Sequence, residues 1–169
     1  MALLSWGAVS LAGCGSARSG LDGAVYRDDG IAFKVGDVPS RWQRITVDEA
    51  TLAFRDEEHR ASILVNARCG RKDSDTPLAA LTKHLVMGTT EREILLEETI
   101  PFDAREALHT RMHAKLDGVP MGFDMFVLKK DGCVYDFVYV GDPAAMESGQ
   151  SDFERFVAGF RTLSGSGAT

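Results

Sequence analysis

Residues 105–140 read REALHTRMHAKLDGVPMGFDMFVLKKDGCVYDFVYV, and this stretch decides the fold. Its opening alternates. Leu108, Thr110, Met112, Ala114 and Leu116 fall on one side, and His109, Arg111, His113 and Lys115 on the other. A period of two is the pattern of a strand. Asp117-Gly118 and Asp131-Gly132 punctuate the stretch, and each pair tolerates the positive φ of a two-residue hairpin turn. Three antiparallel strands are predicted, over 105–116, 119–129 and 133–140. In the middle one Met121, Phe123, Met125 and Val127 face one way, Phe126 and Leu128 the other. Apolar residues on both faces predict a central strand covered on both sides.

Working backward, residues 93–99 read as a strand that Pro101 breaks. Before it, Leu78, Leu81 and Leu85 form a helical stripe, with Thr76 as cap, Pro77 at the first position and Gly88 at the end. Residues 60–69, 51–55, 44–47 and 31–35 read as strands, the second-last a short extension. Working forward, Asp142-Pro143 leaves the sheet, and Ser151-Asp152-Phe153-Glu154 matches a capping box opening a last helix. Phe153, Phe156, Val157 and Phe160 form its apolar stripe, and residues from Thr162 read as a polar tail. The expected fold is α+β: one antiparallel sheet of about six to seven strands with helices packed on it. The single domain would span 30–163, with a disordered tail over 164–169.

The N-terminus is read separately. Residues 2–11 are apolar but far short of a bilayer span of roughly 20 residues, a length that suits the core of a signal peptide. Leu11-Ala12-Gly13-Cys14 resembles the lipobox of bacterial lipoproteins. Small residues let a peptidase reach the backbone, and the thiol of Cys14 becomes the lipid thioether. The resemblance implies a signal peptide over 1–13, a lipidated Cys14, and a cell-envelope location facing the periplasm or exterior. In a Gram-negative host, Gly15 after the cysteine implies outer-membrane sorting. Residues 14–29, rich in Gly and Ser, would be the flexible tether. Cys69 and Cys133 would then share an oxidising compartment, each at a strand end beside a turn. Two readings stay open for them, a disulfide or two separately buried thiols.

The chain has 169 residues, 44% hydrophobic and 26% charged, with net charge -6, an ordinary globular composition. The acidic balance argues against nucleic acid as a partner. His109 and His113 invite a metal reading, but four residues along a strand set them about 13 Å apart, and no single ion spans that. No metal site and no cofactor are expected. His109, Arg111, His113 and Lys115 could instead form a cationic stripe for an acidic ligand or partner, or a face whose side chains are satisfied internally. Met112, Met121, Phe123 and Met125 could line an apolar groove, or simply pack the core. The run Asp56-Glu57-Glu58-His59-Arg60 reads as a solvated hairpin loop, and Glu97-Glu98 as surface charge. No nucleophile elbow, phosphate loop or Cys-x-x-Cys is present. No catalytic constellation emerges.

The opening Ile31-Ala32-Phe33, then Pro39 and Trp42, the mid-chain helix before a long meander, and the closing Phe153-Glu154-Arg155-Phe156-Val157-Ala158-Gly159-Phe160 together resemble the PsbP-like α/β/α sandwich over about residues 28–163. That superfamily includes the PsbP subunit of photosystem II, a Ran-binding import factor and small bacterial proteins of the DcrB type, often lipoproteins. The resemblance implies binding or assembly without catalysis. The expectation is a lipid-anchored binding or assembly module whose partner is an envelope protein. The rival is a carrier or chaperone for an apolar ligand or hydrophobic peptide, and an enzyme comes third.

Overall fold

The predicted meander forms the centre of a large sheet in the computed structural model, which describes residues 20–28, 30–70 and 75–163. Strands β1 (Gly20–Asp22), β2 (Val25–Asp28), β3 (Ile31–Lys34), β4 (Gln43–Ile45), β5 (Leu52–Asp56) and β6 (Ala61–Cys69) precede helix α1 (Leu78–Leu85). Then come β7 (Thr89–Phe102), β8 (Arg105–Leu116), β9 (Val119–Lys130) and β10 (Cys133–Gly141). Helix α2 (Met146–Ala158) and β11 (Arg161–Thr162) close the described chain. A seven-stranded sheet runs in the order β4-β5-β6-β10-β9-β8-β7, and a four-stranded sheet in the order β1-β2-β3-β11. Every strand pairing is antiparallel.

Both Asp-Gly pairs adopt positive φ, 51° and 81° at Asp117-Gly118 and 53° and 75° at Asp131-Gly132, so each hairpin turns within two residues. The turn at 117–118 sets the register of β8 on β9: Leu116 faces Val119, and Arg111 faces Asp124. Pleating then assigns the faces. Phe126, Leu128, Tyr135, Phe137 and Tyr139 meet Phe153, Phe156 and Phe160 of the α2 region, with Phe33 and Trp42 in the same core. The opposite face carries Val127 and Val134 under Leu81 of α1. Apolar layers on both faces explain why β9 and β10 are apolar nearly throughout.

Several boundaries differ from the sequence reading. The expected tether does not extend to residue 29. β1 and β2 form a hairpin turned at Gly23 (φ 58°), and Tyr26 stacks on Phe33 with ring centroids 5.1 Å apart. The polar tail does not begin at Thr162. β11 pairs with β3, and Asp103 Oδ2 accepts a bond from the Thr162 N–H at 3.1 Å. Thr76 does not cap α1, whose cap position is Pro77 with no side-chain bond. Pro101 does not end β7, because an edge strand tolerates a missing N–H. The capping box at Ser151 lies inside α2. The real entry is the 3-10 turn Pro143–Ala145, where Asp142 Oδ1 accepts from the Ala144 N–H at 3.0 Å. An Asp followed by Pro at the first position is the stronger start signal.

Asp152 is thereby freed for another task. Its buried carboxylate accepts from Trp42 Nε1 at 2.9 Å and pairs with Arg41 and Arg155. Arg41 also pairs with Asp56 at 3.0 Å, which ties the β5–β6 hairpin to α2. Asp56 is 1% exposed, so the run it opens is not the wholly solvated loop the sequence suggested. Burial alone would raise the Asp56 carboxyl, but bonds from the His59 ring and backbone, with Arg41 nearby, outweigh it and hold it below the usual carboxylate range. Gly149 lets α2 lie close on the sheet: a Cβ there would sit 2.5 Å from the Tyr139 hydroxyl. At the far end of the sheet Cys69 and Cys133 face each other in register and are joined by a disulfide, with Cα atoms 4.0 Å apart.

Candidate functional site

The polar residues singled out on β8, His109, Arg111, His113 and Lys115, lie one strand in from the β7 edge, on the sheet face that carries α2. The register places His109 opposite Phe126 and Arg111 opposite Asp124. His109 is 6% exposed, and its ring lies flat on Phe126, with centroids 4.0 Å apart and planes 8° apart. Its Nε2 is 2.7 Å from Asp124 Oδ1, and its Nδ1 is 3.4 Å from Glu98 Oε1 on β7. Arg111 Nε donates to the other oxygen of Asp124 at 3.0 Å, and its Nη2 donates to Glu154 Oε1 of α2 at 2.8 Å. Asp124 is 1% exposed and has both oxygens occupied. A buried carboxylate needs such partners, because desolvation without them costs several kcal/mol.

This arrangement corrects the picture of a free cationic stripe. His109 and Arg111 carry their own carboxylates, and Lys115 donates to Glu91 at 2.8 Å. His113, the fourth residue, lines a cleft that Arg111 and Asp124 also border. The apolar groove is open only in part: Met112 and Phe123 border that cleft, while Met121 and Met125 do not. Met112, Phe123 and Met125 are buried with Val86 and Val138 on the α1 face, and Met121 packs against them half-buried. All four therefore contribute to core packing, and Met112 and Phe123 also reach the cleft. Among the described residues no group of three or more His, Cys, Asp or Glu side chains is placed to hold a metal ion. Cys14 lies outside the described residues. No described helix is long and apolar enough to cross a membrane.

The cleft has a volume of about 510 Å³ and lies between β7–β9 and the start of α2. Leu95, Leu96, Phe123 and Met146 supply apolar walls, and His113 and Gln150 polar points. Gly122 shapes its floor, since a Cβ there would meet the Met146 side chain at 2.6 Å. Exposed apolar side chains gather at the same end: Met87, Ile94, Leu95, Leu116 and Val119 are five of the seven large exposed hydrophobics among the described residues. A second cavity of about 350 Å³ borders the disulfide. Its lysines are engaged, Lys129 on the Thr76 carbonyl and Lys130 on Asp103.

Sequence reasoning missed Asp124, Glu98 and Glu154 as a set. Asp124 sits unmarked inside an apolar strand, although the two-residue turn at 117–118 already sets residue 124 opposite Arg111. Nothing local points to Glu154, which reaches Arg111 only through the packing of α2.

No protein-family model matches the chain, and no curated protein matches it. Solved structures do. Cyanobacterial PsbP (CyanoP) from Synechocystis sp. PCC 6803 superposes with a TM-score of 0.59 at 17% identity, over 89% of this chain and 100% of that one. LpqN, involved in cell envelope biogenesis of Mycobacterium tuberculosis, gives 0.57 at 10% identity, over 80% and 86%. The Ran-binding protein Mog1p of Saccharomyces cerevisiae gives 0.54 at 13% identity, over 78% and 89%. At such identities the likeness is one of fold. The chain has the PsbP/Mog1-like fold.

Proposed function

We propose that this PsbP/Mog1-like domain is a non-catalytic binding or assembly module of a bacterial cell envelope, held at a membrane by lipid on Cys14. The observation that carries the reading is how the site spends its charges. His109, Asp124, Arg111 and Glu154 satisfy one another, while the apolar side chains around the cleft have no cover. General acid–base catalysis needs a group free to exchange a proton with a substrate. A binding surface needs uncovered apolar area with a few polar points, which is what the cleft and its rim offer. The fold alone assigns no role.

The setting has separate support. A disulfide between two strands suits an oxidising, extracytoplasmic compartment. The likeness to LpqN, a protein of envelope biogenesis, agrees with that setting. Lipid on Cys14 rests on the Leu11-Ala12-Gly13-Cys14 box. A tethered domain sees a high effective concentration of membrane partners, so a modest interface suffices. The second reading is a carrier of a small apolar ligand, favoured by the volume of the cleft. The cleft, which Met112 and Phe123 help to line, would hold such a cargo.

The test expresses the full chain in a bacterial host, cross-links the intact envelope and fractionates it. The expected result is membrane-bound protein whose N-terminal peptide begins at lipid-modified Cys14, cross-linked to a defined envelope protein. Cys14→Ser should move the protein to the soluble fraction. Uncross-linked protein that co-purifies with stoichiometric lipid in its folded domain would sink the assembly reading in favour of the carrier.

A further inference from the structure

One rim of the cleft is β7, and its outer edge has no strand beside it among the described residues. None of its 14 residues is buried. Its pairing with β8 slips twice, between Thr90 and Glu93 and between Ile94 and Leu96. The second slip turns two adjacent apolar side chains outward: Ile94 is 53% exposed and Leu95 52%. The strand is also acidic, with Glu91, Glu93, Glu97 and Glu98 against Arg92. Glu91 is held by Lys115, and Glu98 leans on His109. Arg92 turns back to Thr89 and the Val86 carbonyl. Glu93 and Glu97 are exposed and engage no other described side chain.

We propose that the free edge of β7 receives an extended segment of a partner protein in which lysine or arginine alternates with apolar side chains, added to the sheet as a further strand. This rests on the binding-module reading and names the partner's chemistry. In strand addition the backbone bonds supply affinity, and alternate side chains supply specificity. Bulges and charges on an edge usually protect it from unwanted pairing. Here the protection is one-signed. It repels a second copy of β7, which would bring two acidic strands side by side. It also repels acidic strands and anionic headgroups, while a cationic segment is attracted. A purely protected edge would have no use for Ile94 and Leu95 side by side in water. They offer apolar contacts to a docked strand, and Leu96 leads on into the cleft.

The test follows amide hydrogen exchange in the full chain, solubilised in a non-ionic detergent. The probe is a peptide of alternating lysine and valine matched to β7 in length, and the control alternates glutamate and valine. The lysine peptide should slow exchange of the outward-facing amides over residues 93–98 about tenfold at saturation, and more weakly as salt rises. The glutamate peptide should leave them unchanged. The Glu93→Lys/Glu97→Lys double variant, altered only at exposed positions, should reverse the preference. Leu95→Ala should weaken binding of the lysine peptide several-fold without reversing it. Equal protection by both peptides, no protection, protection by anionic vesicles instead, or protection that rises with protein concentration alone would each overturn the proposal. If the double variant still cross-links the same envelope partner as wild type, the β7 site fails while the binding-module reading stands. If wild type cross-links to nothing, it is that reading which fails.

Discussion

β10 and β7 belong to one sheet, separated by β9 and β8, and they live in different environments. β10 has a strand on each side and packed apolar layers on both faces, and Phe137 and Tyr139 in it are fully buried. β7 has a strand on one side only and buries nothing fully. Burial sets what each can do. A strand that gives its apolar surface to the core stabilises the fold and has nothing left to offer a partner. A strand that keeps Ile94 and Leu95 in water contributes little to stability and keeps surface available for binding.

The contrast can be broken by mutation. Phe137→Ala removes a fully buried ring that touches Phe102, Phe156 and Phe160, and should cost about 3–5 kcal/mol in denaturant unfolding. A loss under about 1 kcal/mol would mean that β10 is not the stability centre. Opening the clasp at the start of β10 comes next. Cys69 and Cys133 are 64 residues apart, so replacing both with serine should cost about 2–5 kcal/mol by releasing the unfolded chain. Reductant should reproduce that shift in wild type and do nothing to the double variant.

Acid should sharpen the same contrast more gently. Burial would raise Asp103, but bonds from Lys130 and the Thr162 backbone, with Arg161, outweigh it and lower its pKa, as His59 and Arg41 do for Asp56. A carboxyl lowered on folding binds fewer protons folded than unfolded. Its contribution is therefore complete above the ordinary value of 3.8 and is lost as pH falls through the lower folded value. Urea midpoints should hold steady from neutral pH toward 4 and then drop, and Asp56→Asn or Asp103→Asn should flatten that drop. The smallest effect belongs to β7: Leu95→Ala or Glu97→Lys should move stability by no more than about 0.5 kcal/mol. A cost above about 2 kcal/mol would place β7 with the core.

How much of this was legible follows the same division. The meander could be read to within a residue or two, because alternation and the Asp-Gly turns are local signals. β7 reads short in the sequence, since its two slips break the alternation and Pro101 looks like a stop until the strand is known to be an edge. The turn into β8 is silent in the sequence because it uses Asp103-Ala104 at φ 44° and 60°, and alanine gives no warning of that conformation. Of the small sheet only β3 is legible, because its partner strands of two to four residues carry almost no periodicity. At the site, His109 and Arg111 stood out by residue type. Their neutralisation by Asp124 and Glu154 depends on register and helix packing, which no residue type announces.

The most direct test compares the two strands in the wild-type chain by residue-resolved amide exchange, alone and cross-linked to its envelope partner. The account predicts that β10 amides exchange only through global unfolding in both states. The outward amides of β7 should exchange orders of magnitude faster in the free chain and become protected in the complex. If β7 is as protected as β10 before any partner is bound, or stays unprotected once the partner is attached, β7 is not the docking edge of this molecule.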